Sequence, residues 1–177
     1  MREEGLFRVA GLALEYPSED VRRRLAEVAE AVDDEELRRA IEAIARDEGA
    51  EAKYVELFDF SPERSLYLTY HFFGDTRRRG AALVELKRLF KEAGVELGSE
   101  LPDYLPKLLE LAAERPDLGK PALERYRAAL EKIRRGCAGT PYAVVLSAVL
   151  AALPPVEEGE VEKIMNPPVE EVGLDRF

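Results

Sequence analysis

The stretch from Leu66 to Phe90, LYLTYHFFGDTRRRGAALVELKRLF, confines this chain to a helical solution before any other residue is considered. Its apolar residues recur every three or four positions on both sides of a Gly74-Asp75 break, which is the period of a helix and not of a strand. In the first half Tyr67, Tyr70, His71 and Gly74 fall at i, i+3, i+4 and i+7, which places them on one helical face. That face carries two phenol hydroxyls and the single histidine, groups that each need a hydrogen-bond partner once buried. In the second half Leu83, Leu86, Leu89 and Phe90 form the inner face of a helix that ends at Gly94.

The break sets an electrostatic problem. Gly74 terminates one helix and Asp75 caps the next, so Arg77, Arg78 and Arg79 occupy a first turn, where the helix dipole makes an exposed cation unfavourable by about 0.3 to 1 kcal/mol. Asp75 can pair with Arg79 at i,i+4, but its reach does not cover three cations. Arg77 or Arg79 is therefore expected to be held by carboxylates of another segment, with Glu100 and Asp103 the candidates. The rival reading is that the triplet binds a phosphate group, although no glycine-rich loop accompanies it.

The rest of the chain supplies more helices. Ser18, with Glu19 and Asp20 behind it, starts one that carries Val21, Leu25, Val28 and Val32; Asp33 or Asp34 starts another with Leu37, Ile41 and Ile44. Residues 50–60 place Tyr54, Leu57 and Phe58 on one face, and Ser61-Pro62-Glu63 is the expected start of the aromatic helix. Pro102 and Asp103 introduce a helix with Leu105, Leu108 and Leu109. Pro116 and Gly119 break the chain, Pro121 starts a helix to Arg135, and Thr140-Pro141 starts an apolar helix to Leu153. No alternating run and no Asn-Gly or Asp-Gly hairpin signal occurs. The expected fold is all-α: a single-domain bundle of about eight helices over residues 1–153, followed by an acidic, Pro-rich C-terminal tail, residues 154–177. That tail, net charge −5, is expected to be mobile or to lie extended over the body.

Composition narrows the function classes. The 177 residues include 26 lysines and arginines against 36 acidic residues, a formal net charge of −10, which disfavours nucleic acid and anionic membranes as partners. One cysteine, Cys137, and one histidine leave no metal-ligating cluster, no cofactor fingerprint and no intramolecular disulfide, so no metal and no cofactor is expected. The most apolar stretch, Tyr142 to Leu153, is shorter than the roughly 20 residues a membrane-spanning helix needs. With no targeting segment at its start, the chain is expected to be cytoplasmic, with no direct membrane insertion. No catalytic signature stands out, and a Cys137–His71 nucleophile pair has no local activating sequence around it. Binding is the better expectation than enzymatic activity.

Two short signatures then stand in order: Tyr54-Val55-Glu56-Leu57-Phe58, of the form aromatic-x-x-Leu-Phe, and Glu100-Leu101-Pro102-Asp103-Tyr104, of the form Glu-x-x-Asp-His/Tyr. Between them lie FDF at 58–60, LYLTYH at 66–71, GD at 74–75, RRRG at 77–80 and ALVELK at 82–87. In these residues the chain resembles the redox-enzyme maturation chaperones, and within them the nitrate reductase molybdenum cofactor assembly chaperones. Tyr104 stands where the second signature commonly has histidine.

The resemblance implies an all-helical cytoplasmic chaperone that binds the N-terminal, leader-like peptide of the nitrate reductase catalytic (alpha) subunit and assists molybdenum cofactor insertion and assembly. A sister chaperone for another molybdoenzyme is the nearer alternative, and an enzyme using the arginine triplet on a phosphate or nucleotide the farther one. An acidic helical protein with an aromatic surface suits a basic, apolar peptide folded as a helix in a groove. The expected peptide contacts are Tyr67, Tyr70, His71, Glu100, Asp103 and Tyr104; Tyr54, Leu57, Phe58, Gly74, Asp75, Arg77 and Arg79 are expected to support the site or form its rim.

Overall fold

In a computed structural model, residues 1–166 of the chain are described, and among them the architecture is all-α. The α-helices are Glu3–Leu14 (α1), Glu19–Ala29 (α2), Glu35–Arg46 (α3), Ala50–Tyr54 (α4), Leu68–Phe73 (α5) and Arg77–Ala93 (α6), followed by Leu105–Glu114 (α7), Pro116–Arg125 (α8), Arg127–Gly136 (α9), Pro141–Ala151 (α10) and Glu158–Met165 (α11). A π-helical turn, Val55–Asp59, continues α4, and a single 3₁₀ turn covers Pro62–Arg64.

Local chemistry accounts for several of these boundaries. Ser18 Oγ accepts from the Val21 amide at 3.2 Å, and Asp34 accepts from the Leu37 amide at 2.7 Å, each satisfying a free donor at a helix start. Gly94 closes α6 in the left-handed conformation, with φ 68°. The centre of the molecule is formed by α1, α7 and α10: α1 packs on both, and α10 also lies against α3 and α9. Tyr142, Val145, Leu146, Val149 and Leu150 of α10 are all buried, each such apolar side chain stabilising the fold by about 1.5 to 3 kcal/mol on full burial.

Three expectations are corrected. The chain does not break at Gly119 or restart at Pro121; α8 begins at Pro116 and runs through both. Gly119 serves the packing: a Cβ there would lie 2.3 Å from the Ala112 amide nitrogen, so α7 and α8 touch backbone to backbone, and that contact outweighs the hydrogen bond Pro121 cannot make. Second, Ser61-Pro62-Glu63 launches only the 3₁₀ turn, after which Ser65–Tyr67 runs extended. Third, the first part of the acidic tail lies over the body as a helix, not as an extended strand, because α11 buries Val161 and Ile164 against α9. Lys132 Nζ donates to the Ile164 carbonyl at 3.0 Å and Arg135 pairs with Glu158 at 2.8 Å. The rest of that tail, residues 167–177, lies outside the described residues.

Candidate functional site

The second correction has the largest effect on the site. Tyr67, just before α5, is extended because it pairs with Tyr104, just before α7: the Leu68 amide donates to the Asp103 carbonyl at 3.1 Å, and the Leu105 amide to the Leu66 carbonyl at 2.9 Å. Tyr67 and Tyr104 form the antiparallel bridge between these two bonds, the arrangement in which opposed side chains stand closest. Their rings lie 5.1 Å apart, tilted by 30°. Tyr67 is therefore not on a helical face with Tyr70, His71 and Gly74; it reaches the same place from an extended segment.

Asp103 holds the junction together. It is fully buried, and its carboxyl accepts from both the amide (3.1 Å) and the hydroxyl of Thr69, taking over at the start of α5 the work a capping residue would do. Arg79 reaches it across the helix break: Nη2 lies 3.8 Å from Asp103, Nη1 lies 3.6 Å from Asp75, and Nε donates to the Thr69 hydroxyl at 3.2 Å. The same guanidinium stands 5.7 Å from the centre of the Tyr70 ring. The expected carboxylate from another segment thus exists, and it is Asp103. Glu100 is not an arginine partner, since it accepts from the Tyr67 hydroxyl at 2.7 Å. Asp75 does not cap α6 either; Thr76 stands at that position, and no side chain caps there.

Below the bridge lies a chain of hydroxyls. Tyr54 donates to the Leu14 carbonyl at 2.7 Å and stands 2.7 Å from the Tyr104 hydroxyl. A carbonyl can only accept, so the Tyr54 proton points to Leu14, and the Tyr104 hydroxyl donates to Tyr54. Burial pushes the Tyr104 phenol up to about 12 and raises Tyr54 and Tyr67 as well, keeping all three protonated at neutral pH.

These elements enclose an open cavity of about 330 Å³ lined by Phe58, Tyr67, Tyr70, Asp75, Arg79 and Tyr104, with Asp59, Ser61 and Pro62 at its edge. The structure brings together in one concavity six of the thirteen residues singled out in the sequence. Phe60, between two lining residues, is 79% exposed, an aromatic ring that little among the described residues covers. Asp59 and Phe60 were missed as candidates; the FDF motif at 58–60 was the signal.

Several expected residues stand elsewhere. Asp103, with no exposed surface, is an anchor and not a contact. His71 faces away from the cavity: its Nε2 donates to the Ser65 carbonyl at 2.7 Å, its Nδ1 is buried without a partner, and burial lowers its basicity, so the ring is neutral. Gly74 ends α5 with φ 54°, a conformation that favours glycine. Arg77 is exposed, without an ion pair among the described residues. Cys137 is buried, its thiol pushed up to about 12 by that burial, and it makes no nucleophile with His71.

Leu57 lines a second, larger cavity of about 530 Å³ together with Ile44, Ala50, Arg64, Pro141 and Tyr142. A partition separates the two cavities, made of the π turn and the 3₁₀ turn, which are fastened by Arg64 Nε donating to the Leu57 carbonyl at 2.7 Å. The π turn sends Phe58 to the tyrosine side and Leu57 to the other. No group of three or more metal-ligating side chains occurs among the described residues, and no helix among them is long and apolar enough to cross a membrane.

Comparison with known proteins places these residues in context. Residues 18–137 match the family model described as nitrate reductase delta subunit. The chain is 36% identical over 104 residues to a probable nitrate reductase molybdenum cofactor assembly chaperone, NarJ, of Bacillus subtilis, a match covering 56% of each protein. It is 46% identical over 68 residues to the nitrate reductase molybdenum cofactor assembly chaperone NarJ of Escherichia coli K12, covering 38% of this chain and 29% of that one. A third match, 36% over 104 residues, is to the nitrate reductase-like protein NarX of Mycobacterium tuberculosis, of which it covers 16%. The matched segments thus span about half, or less, of these relatives.

Proposed function

Since the chain belongs to the nitrate reductase delta subunit family, we propose that it is an assembly chaperone of a respiratory nitrate reductase, which binds the N-terminal leader-like peptide of the catalytic subunit and holds it while the molybdenum cofactor is inserted. The observation that carries this reading is the tyrosine-lined cavity. Tyr67, Tyr70 and Tyr104 offer large, stiff, amphipathic surfaces at low entropic cost, and the exposed ring of Phe60 extends them. Asp59 and Asp75 stand exposed at the edge, where they meet the cations of a basic peptide. The likeness to nitrate reductase molybdenum cofactor assembly chaperones supports the client, and the net charge of −10 supports the sign of the attraction.

The action is binding without chemistry. An apolar side chain of the peptide sits against Phe58 and the stacked pair Tyr67 and Tyr104; the peptide's cations face Asp59 and Asp75; and Arg79, already engaged by Asp75, Asp103 and Thr69, is not free to serve a phosphate. Glu100 fixes the Tyr67 hydroxyl and so the ring that the peptide touches.

The test is calorimetric titration of the full chain with a synthetic peptide of the catalytic subunit's first residues at two salt concentrations. Saturable binding that weakens as salt is raised is the expected result. The absence of binding at either salt concentration would refute the reading.

A further inference from the structure

The long helix α6 carries a charge pattern opposite to that of the protein. It has six cations, Arg77, Arg78, Arg79, Lys87, Arg88 and Lys91, against two carboxylates, Glu85 and Glu92, in a chain of net charge −10. Elsewhere among the described residues all but two of the lysines and arginines are engaged by carboxylates or carbonyls. Seven among the described residues have neither kind of partner; five of these, Arg77, Arg78, Lys87, Arg88 and Lys91, lie on α6, the others being Arg2 and Lys163. Two of the five stand in the first turn, where they act against the helix dipole and local stability gives no reason for them.

The pattern also has a shape. Arg77, Ala81, Val84, Arg88 and Lys91 fall at i, i+4, i+7, i+11 and i+14, a single stripe about 21 Å long, and all five are exposed. Val84, 53% exposed, lies at its middle beside Gly80 and Ala81, so a partner backbone can approach closely there while cations stand at both ends. The opposite face holds α6 in place through Ala82, Leu86 and Phe90.

We infer that the outer face of α6 is a docking surface for an acidic helical segment of a partner protein. Charge complementarity selects the occupant. An acidic helix with small residues at its centre and carboxylates about three to four turns apart would pair with Arg77, Arg88 and Lys91 while its middle rests on Val84. An anionic membrane is disfavoured, because one exposed valine gives little apolar area to insert and the rest of the protein is repelled. This surface is distinct from the tyrosine cavity, so the protein could hold a basic peptide and an acidic segment together.

The experiment is a two-dimensional NMR titration of the ¹⁵N-labelled full chain with an alanine-based helical peptide of about 20 residues bearing glutamates along one face. The expected result is saturable shifts concentrated in α6, suppressed by salt, absent with the glutamine-substituted peptide, and showing affinity about tenfold weaker in the Arg77→Glu, Arg88→Glu, Lys91→Glu variant. Val84→Asp, a single exposed change, should weaken the same titration and leaves the result readable if the triple variant folds poorly. The inference is overturned if no shifts occur, if they scatter over the surface, or if duplex DNA or vesicles containing phosphatidylglycerol move the α6 resonances at lower concentration than the peptide.

Discussion

The two cavities on either side of the 55–64 partition differ in how their walls are held in place. The smaller is lined by phenol rings and an arginine whose polar atoms are fixed by a buried carboxyl, whereas the larger sets Ile44, Leu57, Pro141 and Tyr142 among the charged side chains of Asp47, Lys53, Glu56 and Arg64. Size alone would favour the larger. The smaller is the better organised for recognition, because Tyr67 and Tyr104 are held by hydrogen bonds to Glu100 and Tyr54, and Arg79, anchored by Asp103, stands over the Tyr70 ring. A recess whose aliphatic side chains are not hydrogen-bonded can accept many partners, but a hydrogen-bonded set of rings presents one shape.

The strongest way to break this contrast is to remove Asp103. Asp103→Ala leaves the Thr69 amide and the half-buried Arg79 without their shared acceptor, a loss of about 3 kcal/mol or more in urea unfolding, with the tyrosine cavity lost and the larger cavity kept. Next in size, Tyr104→Phe removes one buried hydrogen bond and should cost about 1 kcal/mol, read by the same unfolding experiment, with the Tyr67 stacking retained. A stability unchanged by Asp103→Ala would mean that the junction is not what organises the smaller cavity.

The smallest effect concerns His71, behind that cavity. Burial sets its folded pKa below the unfolded value of about 6.5, so as pH falls the unfolded chain takes up the proton first. The stabilisation is present above pH of about 6.5 and is lost progressively as pH falls from there through the folded pKa. Urea unfolding of the parent and of His71→Gln between neutral and mildly acid pH should show this extra slope only in the parent. A parallel slope in both would place the protonation elsewhere.

How far the sequence foretold this differs from residue to residue. The helix starts at Ser18 and Asp34 and the end at Gly94 were legible because their signals are local. So was the need for a distant carboxylate at the arginines, since three cations in a first turn state an imbalance that Asp103 then answers. The Tyr67–Tyr104 bridge was not legible: it is one residue long on each side, shows no alternation, and overrides a good helix-start signal at Ser61-Pro62-Glu63 with hydrogen bonds from 34 or more positions away. That override moved His71 out of the site while Tyr67 and Tyr70 stayed in it. The larger cavity was not legible because it is assembled from α3, α4, the π turn and the start of α10, segments far apart in the sequence whose meeting no local pattern announces.

The claim that the tyrosine cavity, and not the larger recess, reads the peptide is tested most directly by calorimetric titration of the catalytic subunit's N-terminal peptide into Tyr70→Ala and Leu57→Ala side by side. The account predicts that Tyr70→Ala weakens binding by about 1 to 3 kcal/mol with the helical circular dichroism unchanged, and that Leu57→Ala binds as the parent does. The reverse pattern, full binding by Tyr70→Ala and loss in Leu57→Ala, would contradict it and move the peptide across the partition.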